Sequence, residues 1–169
     1  DISAEALQVA NININKHGLR DRVNCIQSNL FENVSEKYDL IITNPPYVSK
    51  KEYKQSPTEF KNEPRIALES GEDGLDILNI ILTQAKHHLN TNGVLIAEVG
   101  FMSAKRLKRK YRSVPFTWFP YRRPNGTESW FAMDGTFLCK KSDLPALTDA
   151  KGKFTWLKNL FTKSTPIST

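Results

Sequence analysis

The sequence predicts an α/β fold, a sheet with helices packed on it. Two short stretches, residues 38–43 and 94–99, are almost wholly apolar, as expected of strands covered on both faces. Between them Leu75, Leu78, Ile81, Leu82, Ala85 and Leu89 recur at helical spacing. The first stretch ends in Asn44-Pro45-Pro46-Tyr47, where two prolines that cannot donate to a ladder close the strand. The resulting order of helix, strand, strand, loop, helix, strand favours an α/β sheet over an all-α or all-β arrangement.

The elements follow in chain order. Ser3 is placed to cap a first helix carrying Leu7, Ala10 and Ile14, with Gly18 as its stop. Asn11, Asn13 and Asn15 are poor helix formers, so this helix leans on burial. Residues 23–27 alternate as a short strand would. Residues 38–43 form the best strand, and 48–73 read as a polar loop broken by Pro57 and Pro64. The helical stripe after Asp73-Gly74 ends at Asn92-Gly93 and a second buried strand follows. Residues 102–112 suit a short, very basic helix, and 114–121 a strand. Residues 122–133 read as a loop and 135–139 as a last strand. Beyond 142 lies a tail in which Phe154, Leu157 and Phe161 share one face.

Composition narrows the class. The chain has 169 residues, the size of one domain, with 39% hydrophobic and 25% charged residues. No apolar run of about 18 residues suggests a membrane span. The two cysteines, Cys25 and Cys139, allow neither a disulfide scaffold nor a metal-knuckle spacing, so no metal is expected. The first residues show no basic stretch leading into an apolar one, and a reducing, cytoplasmic setting is the expectation. The net charge of +6 is uneven. Residues 1–104 hold 10 basic and 14 acidic side chains, a net of −4, and residues 105–169 hold 14 and 4, a net of +10. An anionic partner therefore concerns the C-terminal third alone.

Asn44-Pro45-Pro46-Tyr47 carries the chemistry. In α/β sheets ligands bind beyond the carboxyl ends of strands. An amide or exocyclic amino nitrogen is hard to alkylate because its lone pair is delocalised, so a site must accept hydrogen bonds from the NH2 and align it with a methyl donor. The Asn44 side-chain oxygen and the Pro45 carbonyl can accept, Pro46 stiffens the turn, and the Tyr47 ring offers a face to a planar amide or base. No general base near pH 7 is required. Catalysis would come from alignment and desolvation. A plain Pro-Pro turn closing a strand is the structural alternative.

The tetrapeptide resembles the signature of amino-group methyltransferases that use S-adenosylmethionine. These include adenine-N6 DNA methyltransferases and glutamine-N5 methyltransferases of the HemK/PrmC/PrmB type. The stretch from Ser56 to Pro64, then Ala67-Leu68-Glu69-Ser70-Gly71-Glu72-Asp73-Gly74-Leu75, is similar to the glutamine enzymes. Glu98-Val99-Gly100, Tyr111 and Val114-Pro115-Phe116-Thr117-Trp118 resemble the PrmB branch. The resemblance implies a Rossmann-like methyltransferase that modifies a glutamine of the large-subunit ribosomal protein L-three. Matched by position, Asp1 would bind the ribose hydroxyls of the cofactor, Ile2 would pack on the adenine, Asn29 would accept from the adenine amino group and Leu30 would line its pocket. Asn44 to Tyr47 would hold the glutamine amide, next to the methyl donor, and Glu63-Pro64 would shape the substrate-side loop. Asn29 departs from the aspartate usual in the family and removes one negative charge.

The same resemblance implies what is absent. None of the 8 glycines forms a Gly-x-Gly turn, and Asp1 matches the end of the family's second strand. The expectation is a C-terminal fragment lacking the first two strands and the Gly-rich loop, inactive and marginally stable alone. Residues 1–144 would be the partial catalytic domain and 145–169 a basic tail. Residues 105–112 hold six cationic residues in eight, which implies either a solvated face or contact with ribosomal RNA, with Tyr111, Tyr121 and Trp130 as stacking platforms. The competing functions are an adenine-N6 nucleic-acid methyltransferase and a non-catalytic RNA- or ribosome-binding module.

Overall fold

The computed structural model describes residues 1–119, 121–122, 128–129 and 134–145. Trp130, most of the expected 122–133 loop and the tail with Phe154, Leu157 and Phe161 lie outside the described residues.

Helix α1 spans Ala4–Lys16 and is capped as its sequence suggests, the Ser3 hydroxyl oxygen accepting from the Ala6 N–H at 3.1 Å. It buries only Ile14, while Val9 and Ile12 are 58% and 63% exposed. Residues 23–27 do not form the expected strand. Across from them lies Asp1, whose amino group donates to the Ile26 carbonyl (3.0 Å) and whose carbonyl accepts from the Ser28 N–H (2.9 Å). Two bonds of parallel-ladder type hold the segment extended, and a ladder cannot propagate without more partner chain.

Strand β1 (Tyr38–Thr43) pairs parallel with β2 (Leu89–Gly100). Its expected cover on both faces is incomplete: Leu40 is 45% and Ile42 69% exposed, because nothing among the described residues packs over that face. The expected loop 48–73 contains α2 (Lys50–Gln55), held by a reciprocal cap in which Ser49 and Glu52 satisfy each other's backbone N–H groups. Helix α3 (Asp76–Gln84) gives way to a 3-10 turn over Ala85–His88, so the helical stripe stops well before Asn92-Gly93. Those two residues sit inside β2, where the register jumps between the pairs Tyr38–Leu89 and Leu40–Val94. The strand starts early because Leu89 is drawn fully into the core.

Helix α4 (Phe101–Lys110) follows β2 directly. After it come β3 (Thr117–Phe119), β4 (Tyr121–Arg122), β5 (Glu128–Ser129) and β6 (Asp134–Lys140). The expected 114–121 strand is thus shorter and split, and β4 and β5 pair with each other inside the expected loop. The main sheet runs β1-β2-β6-β3, with β6 antiparallel to both neighbours. One face of it forms the core. Leu95, Ala97 and Val99 of β2 meet Leu78, Ile81 and Leu82 of α3, Leu107 of α4, and Phe137 and Cys139 of β6. Burial pushes the Cys139 thiol up to about 12, which makes it an apolar filler. Phe116 and Trp118 pack on Phe137 with centroids at 4.7 and 5.4 Å. No helix among the described residues is long and apolar enough to cross a membrane.

Candidate active site

The carboxyl ends of β1 and β2 lie side by side. Thr43 registers with Ala97, and Asn44 and Glu98 come one residue further on. Side chains alternate along a strand, so Glu98 and Gly100 share the face of Ile96, opposite the core face of Leu95, Ala97 and Val99. Asn44 is exposed, Pro45 buried, and Pro46 and Tyr47 half-buried.

Tyr47 folds back over the end of β2. Its hydroxyl donates to the Glu98 carboxylate at 3.3 Å. Its ring lies so close to Gly100 that a Cβ there would stand 2.8 Å from the ring. Its carbonyl accepts from the Ser103 hydroxyl at 2.8 Å and covers Gly74, where a Cβ would come within 2.3 Å of that oxygen. Gly74 has φ +74°, a conformation that favours glycine. The loop beneath is braced from α4: Arg106 donates to the Asp73 carbonyl (2.8 Å) and lies 3.6 Å from Glu52. Burial alone would raise the Glu52 carboxyl, but hydrogen bonds from Ser49 and the Arg106 charge hold it below the usual range.

Two hydrogen bonds, Val48 N–H to the Leu68 carbonyl and Ser70 N–H to the Val48 carbonyl (both 2.9 Å), tie the site to the segment that follows. Glu63 and Pro64 sit exposed between two 3-10 turns, Thr58–Asn62 and Arg65–Ala67. Their neighbour Arg65 pairs with Glu69 at 2.7 Å.

The expected adenosine-binding residues gather around the Asp1 ladder. The Asp1 carboxylate accepts from the Ser3 N–H at 2.8 Å, and Ile2 is 47% exposed. Asn29 donates its amide nitrogen to Glu32 (3.1 Å), leaving the amide oxygen as its outward acceptor, and the Glu32 carboxylate restores a negative charge beside it. Leu30 adopts φ +52°. In donor and acceptor chemistry this set fits an adenosine. Phe31 stacks on His88 (4.6 Å, 8°), next to the Leu89 that pairs with Tyr38.

Glu98, Gly100, Ser103 and Gly74 are the residues to which the sequence assigned no role in the site. The closeness of Glu98-Val99-Gly100 to a strand end was the available signal.

Residues 1–72 match the family model described as "Methyltransferase small domain". The chain is 43% identical over 155 residues to the ribosomal protein uL3 glutamine methyltransferase of Francisella tularensis, covering 91% of this chain and 46% of that protein. It is 45% identical over 118 residues to the protein of the same name from Neisseria gonorrhoeae, covering 70% and 39%. Over the matched residues the chain is similar to this methyltransferase family. It spans about half the length of the curated relatives it matches. The crystal structure of ribosomal protein L11 methylase from Lactobacillus delbrueckii shares the fold, with a TM-score of 0.51 at 18% identity over 82% of this chain and 53% of the other. The sheet is thus that of a Rossmann-like methyltransferase, and among the described residues no strand occupies the open edge of β1.

Proposed function

We propose that the protein containing this chain transfers a methyl group from S-adenosylmethionine to the side-chain amide nitrogen of a glutamine in a large-subunit ribosomal protein. The observation that supports this best is the pairing of an exposed Asn44 amide with a Tyr47 ring fixed over Gly100 at the ends of two parallel strands. In this reading Asn44 Oδ1 and the Pro45 carbonyl accept the two N–H bonds of the substrate amide, Pro46 stiffens their spacing, and Tyr47 covers the planar group. The bonded NH2 is held in one orientation, and the proton leaves once the nitrogen has become acidic, so no base is needed. S-adenosylmethionine supplies an electrophilic methyl group when bound. Asp1, Ile2, Asn29 and Leu30 have the chemistry to hold its adenosine half, with Asn44 beside its reactive end.

Residues 1–144 act as part of the catalytic domain, Glu63-Pro64 shapes the substrate side, and residues 105–112 meet ribosomal RNA in the cytoplasm. Relatives named for uL3 support the choice of substrate. The deciding experiment gives the full-length protein labelled methyl donor with ribosomal proteins or with DNA. Label on a glutamine of the large-subunit protein, lost with Asn44→Ala, is the expected result. Label on adenine instead would replace this reading with nucleic-acid methylation, and unchanged activity in Asn44→Ala would remove the role given to Asn44.

A further inference from the structure

Helix α4 divides its side chains sharply. Ser103, Ala104 and Leu107 are buried against the sheet. Arg106 turns inward to Asp73 and Glu52, and Lys110 sits in the field of Asp76. Lys105, Lys108 and Arg109, with Arg112 in the turn beyond, stand exposed at spacings of three, four and seven residues, one stripe roughly 10 Å long. None of the four lies within ion-pair distance of a carboxylate among the described residues. Two of them lie on aromatic rings: Lys105 is 4.2 Å from the centre of Phe101, and Lys108 is 4.2 Å from that of Trp118. A helix C-terminus welcomes one or two cations, and this one holds more than that role uses.

The expected stacking set fares differently. Tyr111 donates its hydroxyl to Asn79 at 3.0 Å and is half-buried, so it is not an open platform. Trp118, beneath Lys108, is likewise half-buried and packs on Phe137, so the stripe offers charge rather than an open ring. The stripe begins at the site itself, since α4 starts directly after Gly100 and Ser103 holds the Tyr47 carbonyl.

We infer that Lys105, Lys108, Arg109 and Arg112 form an RNA-docking stripe leading to the Asn44–Tyr47 site. It rests on the proposed function only for the source of the RNA, which would accompany a ribosomal protein substrate. Charge complementarity selects a polyanion, because residues 1–104 carry a net −4 and the attraction falls to the basic C-terminal third in which this stripe lies. A membrane surface fits less well. An interfacial helix must lay an apolar face into the lipid, and the apolar face of α4 is spent on the core, with Leu107 fully buried.

The test uses the full-length protein and a fluorescein-labelled 20-nucleotide RNA, with affinity read by anisotropy from 50 to 200 mM KCl. Four phosphate contacts on a single strand predict about a 50-fold loss of affinity across that range, a log–log slope near −3. Lys105→Gln/Arg109→Gln should bind at least about 5-fold more weakly at 50 mM and with a slope shallower by roughly 1 to 2, while Lys16→Gln/Lys37→Gln changes neither. An unchanged slope in the first variant, with an unchanged thermal melt, would overturn the inference. So would binding to vesicles rich in phosphatidylserine without binding to RNA. Methylation of a free glutamine-bearing ribosomal peptide should survive in the stripe variant, and its loss with RNA affinity intact would also count against the stripe. If no peptide or protein is methylated even by the unaltered enzyme yet RNA binding needs the stripe, the docking surface stands and the proposed function fails.

Discussion

The Tyr47 hydroxyl and the Glu98 carboxylate meet at 3.3 Å, so the aromatic ring of the substrate turn is oriented by the neighbouring strand as well as by its own loop. Tyr47→Phe keeps the ring and loses this bond. It should lower kcat/KM by less than about 10-fold, the scale of one hydrogen bond. Tyr47→Ala removes the covering face and should cost about 100-fold. Glu98→Gln should be milder than Tyr47→Phe, since the amide still accepts, whereas Glu98→Ala removes the acceptor and should lower kcat with KM nearly constant. Steady-state kinetics of the full-length enzyme check the order of the four.

Gly100→Ala and Gly74→Ala should separate function from folding. At position 100 the new methyl meets the Tyr47 ring at 2.8 Å, and a ring can move aside. Activity should fall about 10-fold or more with little change in melting temperature. At position 74 the methyl meets the Tyr47 backbone oxygen at 2.3 Å in a φ +74° conformation, and neither yields cheaply. That variant should lose about 1 to 3 kcal/mol of stability, read by denaturant titration.

Glu52 carries a pH dependence. Its folded carboxyl lies below its usual value, so its stabilising contribution is complete above the unfolded value near 4.5 and fades as pH falls through the folded one. Glu52→Gln should lose about 1 kcal/mol at neutral pH, the scale of a helix cap, and less at the acid end. Unfolding curves from pH 3 to 7 would show the two proteins converging on acidification.

Asp76 has the opposite sign. Burial first, and then the charge of Asp73, raise its carboxyl above the usual 3.8. The folded state therefore binds this proton more tightly, so the penalty is absent below the unfolded value and complete once pH rises through the folded one. Asp76→Asn should stabilise the protein at pH 7 and change it little at pH 3. A higher melting temperature at both pH values would contradict the assignment to ionisation.

The legible part of the fold was written in local rules. Ser3 reads as a cap and caps; the apolar runs read as neighbouring strands and pair; the 75–89 periodicity reads as a helix and packs. Ser49-Lys50-Lys51-Glu52 is a capping-box pattern, so α2 was legible from the same rule inside a stretch that polarity alone makes a loop. Residues 23–27 were not, because alternation signals a half-buried surface and says nothing about whether a partner strand exists. The Asn44–Tyr47 turn was readable because prolines stop strands. Glu98, Gly100 and Ser103 act on Tyr47 through contacts 51 to 56 residues apart, and only the folded sheet brings them together.

The uncovered side of β1 has a cost. Among the described residues no strand pairs with its outer edge, beside Leu40 and Ile42, side chains 45% and 69% exposed. A bare apolar strand edge is a template for any other extended chain, so residues 1–169 prepared alone would invite self-association through β1. The same edge that makes this segment sticky in isolation is a ready seat for a strand in a larger assembly.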